Sequence, residues 1–97
     1  MVVGVSIFEL HLPEARSLKQ KRKVVKGLIE RIHRRFRVSI AETDHHDLHQ
    51  RSEISIAAIA RSEADGQRLM DSIRDIIEDE YQAQLTRWEP QLLEGIR

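Results

Sequence analysis

The hydrophobic residues of this chain recur with a period that switches between two and about 3.6 residues, and the order of the switches constrains the fold most strongly. Residues 2–12 (VVGVSIFELHL) carry apolar side chains at both odd- and even-numbered positions, so both faces of a strand formed here would be apolar, which predicts a strand inside a sheet. Pro13 ends this strand. Residues 38–43 alternate as a half-buried strand does, and residues 53–60 (EISIAAIA) form a third apolar run. The polar stretch 44–51 then joins the second and third strands as a hairpin.

Two helices are predicted between these strands. Ser17 and Gln20 have the spacing of a capping box, which predicts a helix that begins there and continues to Arg37. Its apolar residues fall on one face of a helical wheel: Leu18, Val25, Leu28, Ile29, Ile32 and Phe36. Ser62 and Asp65 resemble a second cap. The helix after it, to about Glu80, has its own apolar stripe of Leu69, Met70, Ile73, Ile76 and Ile77.

The last segment predicts a fourth strand. Leu85, Trp88 and Leu92 are separated by polar residues, and Pro90 allows only an edge strand or an interrupted one. The order strand, helix, strand, strand, helix, strand is typical of a ferredoxin-like βαββαβ sandwich of the α+β class. We therefore predict one domain over residues 1–97, with a four-stranded antiparallel sheet and two helices on one face.

Composition excludes several classes of protein. The chain has no cysteine, so disulfides, thiolate zinc sites, iron–sulfur clusters and thiol nucleophiles are excluded. No run approaches eighteen apolar residues and no basic leader precedes the first strand, so we expect a cytoplasmic protein with no membrane role. The absence of Asn, together with abundant charge, fits a heat-adapted source.

The charges are segregated although the chain is neutral overall. Sixteen basic residues balance sixteen acidic ones, yet the predicted first helix carries nine basic residues against Glu30 alone, a net charge of +8. The five that lie opposite its apolar face define the cationic band: Lys19, Lys23, Lys26, Arg34 and Arg37. A phosphate backbone can follow such a band, and binding of that kind is strong at low salt and largely independent of sequence.

Structured RNA, such as that of a ribosomal particle, is therefore the predicted partner. The predicted nucleic-acid-binding residues are Lys19, Lys21, Arg22, Lys23, Lys26, Arg34, Arg37, His45, His49 and Arg51. Because the third strand contains no aromatic residue, base stacking on the sheet is not expected. Contact would instead run through the first helix and the loops.

Four alternatives stay open. The basic helix face can simply be solvated, or the acidic residues of the second helix can neutralise it; these are Asp71, Asp75, Glu78, Asp79 and Glu80. The second apolar face of the first strand, if nothing in the chain covers it, predicts a homodimer in which two sheets pack together. A small-molecule regulatory domain shares the topology, but the sequence displays no ligand contacts for one.

The hairpin contains a cluster of potential metal ligands. His45, His46 and His49 lie within six positions of each other together with Asp44 and Asp47. Strong metal signatures add a Glu or a distant third ligand, and polar loops accumulate His and Asp freely. We therefore expect no bound metal and no cofactor, and His45 and His49 instead add pH-dependent positive charge beside Arg51.

Catalytic patterns are absent from the sequence. The four scattered glycines make no phosphate-binding loop, and Ser17, Ser52 and Ser62 occupy cap or turn positions rather than pairing with a base. Arg16 precedes a helix start, where an anion is favoured, but the segment PEARS lacks the glycine-rich cradle of an acylphosphatase-like enzyme. We therefore expect a protein that is not an enzyme.

Three segments resemble a known family. The sequences RSLKQKR at residues 16–22, RVSIAE at 37–42 and DHHDLHQR at 44–51 are similar to those of YlxP-like proteins. The resemblance implies a small bacterial cytoplasmic protein of unknown function with a ferredoxin-like fold, often encoded near ribosome-maturation and translation factors. It is consistent with an RNA- or ribosome-associated helper, while the alternative is a dimeric interaction module that works through its open sheet face.

Overall fold

The computed structural model describes residues 1–95, and these form six regular elements. In chain order they are β1 (Val2–His11), α1 (Leu18–Arg35), β2 (Ser39–Asp44), β3 (Arg51–Ala60), α2 (Glu63–Glu78) and β4 (Gln84–Glu94). The last two residues of the predicted domain, Ile96 and Arg97, lie outside the described residues. The order is the one that the hydrophobic periodicity predicts.

The four strands form one antiparallel sheet in the order β2-β3-β1-β4. β1 is central, as its two apolar parities predict: Val2 pairs with Ala60 of β3 on one side and with Glu94 of β4 on the other. β4 lies at an edge, where Pro90 is tolerated because its outer side has no neighbouring strand. The ferredoxin-like prediction is confirmed, although β3 begins at Arg51, two residues earlier than predicted.

Both helices pack on the same face of the sheet, and the core lies between these layers. Alternate residues of β1, including the fully buried Phe8, point toward the helices because side chains alternate along a strand. They meet the apolar stripes of α1 and α2, which bury Leu28, Ile32 and Ile73 completely. This contact fixes which side of α1 faces away from the protein.

Serine caps start the helices as predicted. The Ser17 hydroxyl accepts a hydrogen bond from the Gln20 backbone N–H at 3.1 Å, and the Ser62 hydroxyl accepts one from the Asp65 N–H at 3.1 Å. α1 ends two residues earlier than predicted because Phe36 adopts an extended backbone, with φ −134° and ψ 147°. Arg37 is therefore not on the helix, which corrects its predicted place, and it lies in the connection to β2.

The opposite side of the sheet has no helix over it within residues 1–95. This uncovered sheet face is apolar at one end, where Ile59 is 72% exposed, and charged at the other, around Glu9. Its apolar members are Val3, Val5, Ile7, Ala57, Ile59 and Leu93. The second apolar face of β1 is thus left open by the described chain.

Candidate nucleic-acid interface

The cationic band runs along the solvent side of α1. Lys19, Lys23, Lys26 and Arg34 are exposed, and none of them forms an ion pair with any residue from 1 to 95. A rise of 1.5 Å per residue spreads these four side chains over roughly 22 Å. Arg37 is also exposed and unpaired in the described chain, just beyond the helix end. Each of these charges is accessible to an external anion.

The acidic residues of α2 do not neutralise the cationic band. In the described residues, one ion pair connects α1 to the segment that follows α2: Arg31 lies 3.1 Å from Glu80. Arg31 is not a member of the cationic band. Asp65 pairs with Arg68, and Glu78 pairs with Arg74, both within α2. Among the acidic residues that the sequence offered for neutralisation, only Glu80 pairs with a basic residue of α1 within residues 1–95, and the cationic band itself has no acidic partner there.

One acidic residue, Glu30, lies on the same side of α1 as the band. It is exposed and has no hydrogen-bond or ion-pair partner in the described part of the chain. Its position four residues after Lys26 and four before Arg34 brings local compensation of a few tenths of a kcal/mol per pair at most. The band remains strongly cationic.

Lys21 is the clearest correction to the predicted site. Its side chain is 0% exposed, and its Nζ lies 3.0 Å from the Glu42 carboxylate. The same ammonium donates hydrogen bonds to the backbone carbonyls of His45 at 2.7 Å and Arg51 at 3.2 Å. A buried ammonium that is fully engaged in this way is not available to a phosphate, so Lys21 is a structural residue and not a binding one.

The Lys21 contact extends into a small buried polar network. The Ser52 hydroxyl donates to the same Glu42 oxygen at 2.6 Å, so two donors satisfy one carboxylate. Lys21 thereby ties both ends of the β2–β3 connection to the start of α1. The predicted cap or turn position of Ser52 is wrong, because Ser52 is buried within β3. No local pattern marks the contact between Lys21 and Glu42, which are 21 positions apart.

His45 and Arg51 do not flank the cationic band. His45 has φ +63°, a backbone conformation that turns the chain, and its Nε2 lies 3.1 Å from Glu9 Oε1. The Arg51 guanidinium donates to the same oxygen at 3.2 Å. Because Glu9 points to the uncovered sheet face, this cluster lies on the side of the sheet away from α1.

Glu9 interacts with three basic side chains around it. The hydrogen bond from His45 lowers the pKa of Glu9 below its usual value; partial burial opposes this, and Arg51 adds to the lowering. Arg87 of β4 stands 3.7 Å from the other carboxylate oxygen. One carboxylate thus links the β2–β3 connection to β1, β3 and β4.

The two remaining predicted residues are accessible. Arg22 is exposed on the α1 flank that faces β2, and His49 is exposed in the β2–β3 connection. Neither forms an ion pair with residues 1–95. Arg22 is next to the cationic band along the helix, whereas His49 is separate from it.

The histidines of the hairpin diverge. His45 contacts Glu9, whereas His46 Nε2 lies 3.2 Å from the backbone carbonyl of Glu42. Over the range from Met1 to Gly95, no group of three or more His, Cys, Asp or Glu side chains is arranged to hold a metal ion.

No helix between Met1 and Gly95 has both the length and the apolar character needed to cross a bilayer.

Comparison with known proteins gives the family. Residues 3–90 match the family described as protein of unknown function (DUF503). The chain belongs to this family. A relative described as the uncharacterized protein YlxP of Bacillus subtilis (strain 168) is 34% identical over 91 residues, covering 90% of this chain and 99% of the relative. The YlxP-like resemblance seen in the sequence is therefore confirmed.

A solved structure supports the fold. The solution NMR structure of the de novo designed protein LFR1 1 with ferredoxin fold aligns with 96% of this DUF503 chain and 83% of its own, with a TM-score of 0.52. Its sequence identity is 18%, so the likeness concerns the fold alone. The function must be argued from the surface.

Proposed function

We propose that this chain is a cytoplasmic, non-enzymatic RNA-binding protein that contacts structured RNA through the cationic band. The observation that carries the proposal is the row of accessible, unpaired cations along α1, which no acidic residue of residues 1–95 engages. Because each cation that neutralises a phosphate releases counterions, affinity falls steeply as salt rises. Ribosomal RNA is the first target to test, since YlxP-like proteins are often encoded near ribosome-maturation factors.

The experiment reverses two charges at the centre of the band. The Lys23→Glu/Lys26→Glu variant should lose most of its affinity for a structured ribosomal RNA fragment, measured by filter retention at low salt. Both side chains are exposed, so the far-UV circular dichroism and the melting temperature should be unchanged within error.

The matched control reverses two exposed cations away from α1. Arg61→Glu/Arg68→Glu changes the net charge by the same amount. Arg61 precedes α2, and Arg68 lies within it. It should keep affinity within a few-fold of wild type. Equal losses in the two variants would show that only the net charge matters, and the band would not be a binding site.

A second candidate function is a dimeric interaction module. The apolar end of the uncovered sheet face favours it, because Ile59 is 72% exposed beside Leu93 and Val3. Light scattering of the wild type should then give twice the mass of the monomer, and Ile59→Asp should return the monomer mass. A monomeric wild type at high concentration would reject this candidate and leave the RNA proposal in place.

A further inference from the structure

A groove opens beside the cationic band, on the flank of α1 that faces the end of α2. It has a volume of about 890 Å³, and its walls come from α1, from the segment after β1 and from the turn that follows α2. Lys23 and Arg34 of the band stand on its α1 rim. An RNA strand held by the band would therefore pass over the mouth of this groove.

An exposed aromatic side chain stands on the opposite rim. Tyr81 is 91% exposed, in the turn between α2 and β4. The turn itself is anchored: Glu80 is buried and paired with Arg31, and the Ala83 N–H donates to the Glu80 carbonyl at 3.4 Å. An aromatic ring held out on a fixed turn is a stacking surface for an unpaired base.

Gly27 forms part of the groove, and packing does not require a glycine there. A Cβ at Gly27 would meet no atom within 4 Å, so alanine fits. A mid-helix glycine costs about 1 kcal/mol relative to alanine. Gly27 thus adds no side chain to the lining of the groove, and a larger side chain at this position would project into open space.

The groove has both basic and acidic side chains along it. Its cationic rim suits phosphates, while Glu14 and Glu30 line it without a partner in residues 1–95. Free carboxylates repel a phosphate but accept hydrogen bonds from amino groups of bases, as acidic side chains do from cytosine N4. The charge pattern thus favours a base in the groove and its backbone on the rim.

We infer that this groove binds one unpaired RNA base that carries an amino group, with Tyr81 stacked on the base. The inference rests on the proposed RNA-binding function and adds a ligand: a duplex with an extruded guanine, cytosine or adenine, in preference to a fully paired duplex or an extruded uracil. The base contact is separable from the phosphate contacts of the band, so the two can be tested apart.

The test compares three RNA duplexes that differ at one position: fully paired, with one unpaired guanosine, and with one unpaired uridine. Wild type should bind the guanosine duplex about five-fold or more tightly than the paired duplex, since stacking of one base contributes at least that much. It should also bind the guanosine duplex more tightly than the uridine duplex, because uracil has no amino group to donate to Glu14 or Glu30. Tyr81→Ala should remove the preference for the guanosine duplex over the paired duplex without weakening binding to the paired duplex, and Tyr81→Phe should keep that preference. Gly27→Leu, which places a bulky side chain in the groove, should act as Tyr81→Ala does.

The outcomes separate this site from the proposed function. If the paired duplex binds and Lys23→Glu/Lys26→Glu abolishes that binding, but Tyr81→Ala and Gly27→Leu leave all three affinities unchanged, the base site is wrong and the RNA function stands. If no duplex binds to wild type, both are wrong. Circular dichroism and thermal melting of Gly27→Leu check its fold, and Tyr81→Ala, at an exposed position, gives the same test without adding a side chain to the groove.

Discussion

Replacing Lys21 by Met is the sharpest test of the corrected site. The Lys21 side chain is 0% exposed. Its ammonium lies 3.0 Å from the Glu42 carboxylate and donates hydrogen bonds to two backbone carbonyls. Met has nearly the same helix propensity and a similar length, so the variant isolates the loss of the charge and its hydrogen bonds.

The expected loss in the free energy of unfolding depends on the Glu42 charge, which Lys21→Met leaves without its partner. Removing one partner of a buried ion pair costs about 3–5 kcal/mol, because the other charge stays without compensation. Glu42 is 16% exposed and keeps its hydrogen bond from Ser52, so we expect the lower end, about 3 kcal/mol. For a domain of this size, that loss lowers the melting temperature by roughly 12–24 °C.

The assay is denaturant unfolding at neutral pH, with Lys23→Met as the matched control. Lys23 is exposed on the same helix and has no ion-pair partner in the described chain, so its replacement should change the free energy of unfolding by less than about 0.5 kcal/mol. Under conditions where it is folded, Lys21→Met should bind RNA as wild type does. A stable Lys21→Met variant with weakened RNA binding would refute the structural role.

Three further predictions concern stability. Ser17→Ala should cost about 1 kcal/mol in urea unfolding because it removes the N-cap of α1; an unchanged midpoint would argue against the cap. Leu28→Ala should cost about 2–5 kcal/mol because Leu28 is fully buried, and a smaller loss in thermal melting would contradict the packing. The pKa of Glu9 is lowered in the folded state, so its ion pairs stabilise the protein above about pH 4.5, and this contribution is lost as the pH falls through the lowered pKa. Unfolding of Glu9→Gln should therefore depend less on pH in the acid range than unfolding of wild type.

Features governed by neighbouring residues could be predicted from the sequence. The caps at Ser17 and Ser62 are local contacts across three residues, and the stripe around Leu28 follows from helical spacing. The central position of β1 followed from its two apolar parities, and the edge position of β4 from Pro90. These patterns were sufficient for the fold.

Features set by distant residues could not be predicted. Lys21 lies four residues before Val25 and seven before Leu28, on the apolar face of the helical wheel, so its burial does follow from helical spacing. Its partners, Glu42 and the backbone carbonyls of the β2–β3 connection, do not follow from any local pattern. The place of Arg51 depends on strand register, because a shift of one residue moves a side chain to the other face of the sheet. The exposure of Tyr81 depends on how the turn after α2 is anchored.

The salt dependence of RNA affinity tests the central claim most directly. If the five residues of the cationic band each neutralise one phosphate, a plot of log affinity against log salt should have a slope of about −4, and Lys23→Glu/Lys26→Glu should reduce its magnitude by about 1.5. A slope near zero, or one that the double variant leaves unchanged, would contradict the account.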